Sequence, residues 1–201
     1  MRLFIIRHGE SQDDLEDCYG GIADFPLTPK GREQAIEVAG KLRSLGIEAI
    51  YTSPLARASE TASLIGSALS LSEPIVIDDL QERNTYGVLS GVNKARAEQL
   101  FGRILATLTE KPGYSKQTIP GGEEYELFVL RVQRAIDNLY GQASRNGIEV
   151  AAAVTHGKFT QALFERVFRL GADVLPQLGA VNVVDYEPAH AQIVTKIALP
   201  A

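Results

Sequence analysis

The chain has 201 residues, of which 45% are hydrophobic and 22% charged, and a formal net charge of −5. A chain of this length can bury one sizeable core, and its composition resembles neither a disordered nor a membrane-embedded protein. The acidic pI of about 5.3 lacks the basic footprint of a nucleic-acid-binding protein. We therefore expect a globular protein with no nucleic-acid or membrane partner.

Cysteine content and the amino-terminal sequence bear on the cellular compartment. Cys18 is the only cysteine, so an internal disulfide and a cysteine-rich metal site are excluded. The amino terminus runs directly into a strand-like segment and lacks the pattern of a signal peptide. We expect a cytoplasmic protein that is a monomer or a homodimer.

Apolar runs and helix-start signals define the first half of the chain. Residues 3–6 form a continuous apolar run, as expected for a strand buried on both faces of a parallel sheet. Residues 47–51 and 74–77 are two shorter strand candidates. Thr28-Pro29 predicts a helix start, with an N-cap followed by proline at the first helical position, and Ser53-Pro54 repeats this signal.

The second half continues the alternation of strands and helices. Residues 150–154 form another buried strand, preceded by a helix over residues 123–143 and followed by one over residues 158–170. Two alternating segments near the carboxyl end predict a hairpin. This order predicts an α/β fold: a three-layer α/β/α sandwich with a mostly parallel central sheet and an antiparallel edge strand.

One region interrupts the alternation. Between residues 75 and 120 the chain is punctuated by glycine and proline, including Gly87, Gly91, Pro112 and Pro120. Long excursions of this kind commonly cover a binding site. We expect a single domain over residues 1–201, with a lid-like insertion around residues 82–122.

Two histidines follow predicted strands in the same setting. His8 lies in the sequence Arg7-His8-Gly9 after the first strand, and His156 lies between Thr155 and Gly157 after a later one. The carboxyl ends of parallel strands are where open α/β sheets place their ligands. Arg57, in the first turn of a predicted helix, adds a cation where free backbone N–H groups already favour an anion.

Six sequence blocks stand out along the chain. They are Arg7-His8-Gly9-Glu10-Ser11, Pro26-Leu27-Thr28-Pro29-Lys30-Gly31, Ser53-Pro54-Leu55-Ala56-Arg57-Ala58-Ser59-Glu60-Thr61-Ala62, Leu80-Gln81-Glu82-Arg83, Pro120-Gly121-Gly122-Glu123 and Thr155-His156-Gly157. Through these blocks, which have the order found in that family, the chain resembles the histidine phosphatase superfamily, the phosphoglycerate mutase-like branch 1.

The resemblance implies catalytic roles for five residues. His8 would be the nucleophile that forms a phosphohistidine, and Arg7, Arg57 and His156 would surround the phosphoryl group. Glu82 would donate a proton to the leaving oxygen. Two guanidinium groups and an imidazolium can neutralise the phosphoryl oxygens, so we expect no metal and no other cofactor.

The substrate-binding residues are less sharply defined. The resemblance to mutases suggests that Arg83, Tyr86 and Lys94 contact the remainder of the substrate, and Ser11 and Gly157 are further candidates at the phosphate. Asp14 is a departure, because relatives often have asparagine there. A carboxylate facing a phosphate is unfavourable unless it is paired or turned away.

These features favour an enzyme of the histidine acid-phosphatase type, a phosphoric monoester hydrolase. We expect it to act without a metal on a small phosphorylated metabolite through a phosphohistidine intermediate. A cofactor-dependent phosphoglycerate mutase is the alternative, and a non-catalytic module that binds a phosphorylated ligand is a third possibility. The sequence does not identify the phosphate ester.

Overall fold

The computed structural model describes residues 1–109, 119–171, 174, 177–188 and 190–198. Within them one sheet has the strand order β3-β2-β4-β1-β5-β6. Its strands are β1 (Arg2–Arg7), β2 (Ala49–Thr52), β3 (Ile75–Val76), β4 (Val150–Thr155), β5 (Val181–Glu187) and β6 (His190–Ile197). The first four are parallel, whereas β5 is antiparallel to β1 and β6 is antiparallel to β5. The predicted mostly parallel sheet is confirmed, with an antiparallel hairpin in place of one edge strand.

Helices flank the sheet. They are α1 (Gln12–Leu15), α2 (Pro29–Leu42), α3 (Ala56–Leu69), α4 (Lys94–Thr109), α5 (Tyr125–Arg145) and α6 (Gly157–Ala162). The segment Leu163–Val167 continues α6 as a π-helical turn, and 3₁₀ turns occur at Asp78–Leu80 and Gly87–Leu89. Helix α4 was not predicted, because Gly102 and the surrounding glycine and proline residues obscure its helical pattern.

The two helix-start signals have different outcomes. Thr28 is the N-cap of α2, and its hydroxyl accepts a hydrogen bond from Gly31 N at 3.0 Å, as predicted. Ser53 is not the N-cap of α3. That helix begins at Ala56 with Leu55 as its N-cap residue, and Ala56 N donates to Asp24 Oδ1 at 2.6 Å. The side chain of Ser53 is therefore available for another contact.

The core lies on both faces of the sheet, because successive side chains of a strand point in opposite directions. Leu3 and Ile5 of β1 pack on the face covered by α5 and α6. Phe4 and Ile6 pack on the opposite face, which α2 and α3 cover. These two apolar clusters account for the continuous hydrophobic run of β1 and establish the three predicted layers.

The two ends of the predicted insertion are joined by hydrogen bonds. Glu123 N donates to Asn84 O at 2.8 Å, and Asn84 Nδ2 donates to Gly121 O at 3.0 Å. Gly87 has a φ of +48°, and a side chain there would collide with Pro120 O. Residues 110–118 of the insertion, with Pro112, lie outside the described residues. None of the helices within the described ranges is long and apolar enough to cross a membrane.

Candidate active site

The register of the sheet brings three predicted site segments together. Arg7 at the end of β1 pairs with Thr155 at the end of β4, and Thr52 at the end of β2 pairs with Val154. The residues that follow these strands therefore share one edge of the sheet. A cavity of about 520 Å³ opens at this edge, and Arg7, His8, Arg57 and Glu82 line it.

His8 is held in a single tautomer by its own loop. It is 6% exposed, and Nδ1 lies 2.7 Å from the carbonyl oxygen of Gly9, which can only accept a hydrogen bond. Nδ1 therefore carries a proton. Nε2 accepts from Arg57 Nε at 3.3 Å. Burial, followed by the positive charge of Arg57, holds the pKa of His8 well below its usual value of 6.5. The ring is neutral, with its lone pair on Nε2.

The loop after β1 is fixed by a close crossing of two backbone segments. A Cβ on Gly9 would collide with the carbonyl oxygen of Gly31, and a Cβ on Gly31 would collide with that of Glu10. Thr28 Oγ1 donates to Glu10 Oε1 at 2.8 Å, and Glu10 N donates to Gln34 Oε1 at the same distance. This packing positions the backbone that carries His8.

Arg57 is the second residue of α3 and is 2% exposed. Besides its contact with His8, Nη1 donates to Ala23 O at 2.8 Å and Nη2 donates to Gly21 O at 2.7 Å. Burial lowers the pKa of Arg57, and the charges of Asp13, Glu82 and other carboxylates oppose that effect. The side chain remains a cation in a fixed orientation beside Nε2 of His8.

Glu82 lies where α6 begins. Oε1 accepts from Arg83 N at 2.9 Å and from Phe159 N at 3.1 Å, and Oε2 accepts from Lys158 N at 3.1 Å. The first N–H groups of a helix have no partners within the helix, so a carboxylate there satisfies them. These contacts hold the carboxyl group on the cavity wall.

His156 is fully buried behind the cavity wall. Its ring meets that of His8 edge-on, with 5.0 Å between the centroids, and Nε2 lies 2.8 Å from Ser53 Oγ. Burial, followed by the neighbouring His8 and the positive charges of Arg57, Arg7 and Arg131, holds its pKa well below the usual value. The imidazolium expected from the sequence is thus disfavoured, first by burial and then by the neighbouring cations.

Arg7 and Gly157 line the cavity next to each other. A Cβ on Gly157 would lie 3.3 Å from Cζ of Arg7, which is tighter than ordinary van der Waals contact. The absence of a side chain at the start of α6 therefore leaves room for the Arg7 guanidinium.

Three other predicted substrate-binding residues share the cavity wall, and two of them have side-chain partners there. Arg83, Tyr86 and Lys94 all line the cavity. Arg83 is 1% exposed, and Nε and Nη2 donate to Glu123 O at 3.2 and 3.1 Å. Lys94 Nζ donates to Asp17 Oδ1 at 2.5 Å, so a carboxylate already contacts this ammonium group.

Ser11 lies outside the cavity lining and serves the local backbone. It is the N-cap of α1, where its N–H donates to Asp14 Oδ2 at 3.1 Å. Its hydroxyl donates to Asp13 Oδ1 at 2.6 Å. The carboxylate of Asp14 thus has a partner, the backbone N–H of Ser11, in the capping box of α1. A paired carboxylate is one of the two arrangements, paired or turned away, that make an acidic residue tolerable near a phosphate.

A sequence model of the histidine phosphatase superfamily (branch 1) matches residues 3–197. The chain belongs to this superfamily. It is 30% identical over 176 residues to the 2,3-bisphosphoglycerate-dependent phosphoglycerate mutase of Cytophaga hutchinsonii, covering 85% of this chain and 79% of that protein. With the enzyme of the same description from Bartonella henselae it shares 42% identity over 104 residues, half of each chain.

Two solved structures have the same fold. The alpha-ribazole phosphatase from Shigella flexneri superimposes with a TM-score of 0.79 and 27% identity, covering 96% of this chain and 95% of that one. The phosphoglycerate mutase from Bacillus anthracis superimposes with a TM-score of 0.78, covering 97% and 92%. Its identity of 21% supports the likeness of fold alone. The predicted phosphoglycerate mutase-like fold is confirmed.

Several residues of the cavity lining were not predicted from the sequence. Lys158, Gln161 and Glu165 lie on it, and their spacing of three and four residues places them on one helical face. That spacing could have predicted a polar helical face at the site. Thr85 also lines the cavity, and its buried Oγ1 has no hydrogen-bond partner among the described residues. Its sequence context contains no comparable signal.

The described ranges contain no group of three or more His, Cys, Asp or Glu residues that could hold a metal ion. Cys18 lines the cavity, but burial and the charges of Glu16, Asp13 and Asp17 raise the pKa of its thiol. These neighbours disfavour the thiolate, which is the nucleophilic form. The arrangement therefore offers His8, and not Cys18, as the reactive side chain.

Proposed function

We propose that this member of the histidine phosphatase superfamily is a metal-independent phosphomonoesterase. It transfers the phosphoryl group of a small phosphorylated metabolite first to His8 and then to water. Arg7 and Arg57 supply the positive charge that a phosphate dianion requires in the pocket. The cavity of about 520 Å³ has the size of a site for a small molecule.

In the first step, the lone pair on Nε2 of His8 attacks phosphorus. The bond from phosphorus to the ester oxygen breaks on the opposite side, and Glu82 protonates that oxygen as it leaves. The phosphorylated imidazole keeps its proton on Nδ1, which still donates a hydrogen bond to Gly9 O. The dipole of this carbonyl group stabilises the positive charge that develops on the ring.

In the second step, water attacks the phosphohistidine. Glu82, now ionised, accepts a proton from this water as the phosphorus–nitrogen bond breaks. Inorganic phosphate leaves, and Nε2 regains its lone pair. Glu82 is then protonated again for the next turnover, so every proton is accounted for.

The observation that carries this proposal is the hydrogen-bonding state of His8. Nδ1 donates to Gly9 O at 2.7 Å, and Nε2 meets the guanidinium of Arg57 at 3.3 Å. A nucleophile is thereby oriented at the cavity. Burial and the adjacent cations lower its pKa and keep it unprotonated, and the cations also attract the phosphate dianion. A residue with a merely structural role would not require this combination.

Hydrolysis of aryl and alkyl phosphates by matched variants tests the proposal. His8→Ala should lower kcat/KM for p-nitrophenyl phosphate at least about 1000-fold, whereas His190→Ala, an exposed histidine in β6, should not change it. Full activity of His8→Ala would exclude the mechanism. No turnover of any phosphate ester by the wild-type chain would favour a non-catalytic binding module.

The role of Glu82 has its own test. An alkoxide needs protonation far more than p-nitrophenolate does, so Glu82→Gln should lower kcat more for an alkyl phosphate than for the aryl ester. An equal loss on both substrates would contradict the assignment of Glu82 as proton donor.

A phosphoglycerate mutase is the second candidate. The relatives from Cytophaga hutchinsonii and Bartonella henselae carry that description, and Tyr86 and Lys94 lie on the cavity wall. In a mutase the phosphoryl group would return from His8 to a bound hydroxy acid before water could accept it. The rates of 2-phosphoglycerate formation and phosphate release from 3-phosphoglycerate, with 2,3-bisphosphoglycerate present, separate the two functions.

The segment around residues 82–122 is proposed to select the substrate. It contributes Arg83, Tyr86 and Lys94 to the cavity wall, beyond the residues proposed to bind the phosphoryl group. A panel of phosphorylated sugars, glycerates, nucleotides and peptides, ranked by kcat/KM, should show a preference that Lys94→Ala reduces. A ranking that Lys94→Ala leaves unchanged would remove this residue from substrate selection.

A further inference from the structure

Ser53 lies at the end of β2 and does not perform the helix-capping role that its sequence position suggested. It is fully buried, and its hydroxyl oxygen lies 2.8 Å from Nε2 of His156. The same oxygen accepts a hydrogen bond from Leu55 N at 3.3 Å. Two polar side chains that follow different strands thus meet in the buried interior.

The proton of the Ser53 hydroxyl needs an acceptor. Buried polar hydrogens are almost always satisfied, because leaving one unpaired forfeits its hydration without compensation. Within the described part of the chain, Nε2 of His156 is the one acceptor that lies within hydrogen-bonding distance of this hydroxyl. The hydroxyl therefore donates to Nε2, and Nε2 must present a lone pair.

The position of the His156 proton follows. A neutral imidazole has one protonated nitrogen, so a lone pair on Nε2 places the proton on Nδ1. Nδ1 is buried and has no hydrogen-bond partner among the described residues. Burial disfavours a second proton on the ring, and so do the neighbouring His8 and the charges of Arg57, Arg7 and Arg131. The three arginines also favour an anion nearby.

We propose that Ser53 is a positioning residue that holds His156 in the Nδ1–H tautomer, so that this N–H is available to a non-bridging oxygen of the phosphoryl group. The inference rests on the proposed function, because it assumes that an anion is bound beside His8. Ser53 acts through His156. If Nε2 carried the proton instead, Nδ1 would hold a lone pair and could donate no hydrogen bond to that oxygen.

The tautomer can be measured without any turnover. Long-range proton–nitrogen correlation spectra of the ¹⁵N-labelled wild-type protein, assigned with a His156→Gln variant, report which ring nitrogen bears the proton. The expected result at neutral pH is a protonated Nδ1 and an unprotonated Nε2. A proton on Nε2, or one on each nitrogen, would overturn the proposal even if the enzyme is active.

Variants of Ser53 test the consequence. Ser53→Ala should move proton density from Nδ1 to Nε2. It should also weaken the binding of orthovanadate and inorganic phosphate about 10- to 100-fold, the cost of losing one hydrogen bond to a charged group. Ser53→Thr, which keeps the hydroxyl, should recover most of that affinity. Unchanged anion affinity and an unchanged tautomer in Ser53→Ala would contradict the proposal.

The two proposals fail in different ways. If the protein hydrolyses no phosphate ester but shows the Nδ1–H tautomer and loses phosphate affinity in Ser53→Ala, the role of Ser53 stands and catalysis is refuted. If the wild-type enzyme hydrolyses esters through His8 while Ser53→Ala retains full kcat/KM and anion affinity, catalysis stands and the role of Ser53 is refuted.

Discussion

The two buried histidines should make the stability of the protein depend on pH in a way that two substitutions remove. His8 is 6% exposed and His156 is fully buried, and the pKa of each is held well below 6.5, first by burial and then by neighbouring cationic groups. In the unfolded chain both rings take up a proton near pH 6.5. The unfolded state therefore binds more protons, and the free energy of unfolding falls as the pH falls through this range.

The magnitude follows from the unfolded chain alone, provided that the folded rings remain neutral. When the pH is lowered from about 6.5 to about 5.5, each histidine stabilises the unfolded state by about 1 kcal/mol. The pair should thus account for ~2 kcal/mol of lost stability. The double variant His8→Gln, His156→Gln should lack this contribution whatever its stability at neutral pH.

Urea denaturation of the wild type and the double variant at both pH values gives the stability that each protein loses on acidification. The carboxylates are common to both proteins, so their contribution cancels when the two losses are subtracted. The exposed His190→Gln variant is the control and should behave as the wild type. Equal losses of stability in the wild type and the double variant would refute the conclusion that both rings are neutral in the folded protein.

Other substitutions test the way in which the site is positioned. Gly157→Ala should displace the Arg7 guanidinium, which lies 3.3 Å from the new Cβ, and should lower kcat/KM about tenfold; retention of wild-type kcat/KM would contradict this reading. The matched control is Gly40→Ala on the exposed side of α2, where a Cβ meets nothing within 4 Å; it should raise the free energy of unfolding by about 0.5–1 kcal/mol at unchanged kcat/KM. Asp24→Ala should cost about 1 kcal/mol in urea denaturation, because Ala56 N loses its partner at the start of α3; an unchanged midpoint would show that the contact contributes nothing.

The parts of the fold that the sequence predicted well are those in which one physical signal dominates. The continuous apolar runs of β1 and β4 predicted buried parallel strands, since both faces of these strands meet helices. Thr28-Pro29 predicted the start of α2, because its hydroxyl and its proline act locally. The placement of His8 and His156 at one edge of the sheet followed from the same parallel arrangement.

The features that escaped prediction depend on contacts distant in sequence. Ser53-Pro54 has the form of a helix start, yet the Ser53 hydroxyl contacts His156, which is 103 residues away. Asp14 was uninterpretable as a phosphate ligand until the fold showed it capping α1 through Ser11. Lys94 was predicted to contact substrate, but the periodicity of the chain could not indicate that Asp17 would reach its ammonium group.

The proposed mechanism requires that His8 accepts the phosphoryl group through Nε2. Rapid quenching of the enzyme with a ³²P-labelled phosphomonoester, under alkaline conditions that preserve phosphohistidine, followed by peptide mapping, tests it directly. We expect acid-labile label on the peptide containing His8, attached at Nε2, and none in His8→Ala. Label on another residue would contradict this mechanism. Steady turnover without any labelled protein, in both the wild type and Glu82→Gln, would contradict it as well.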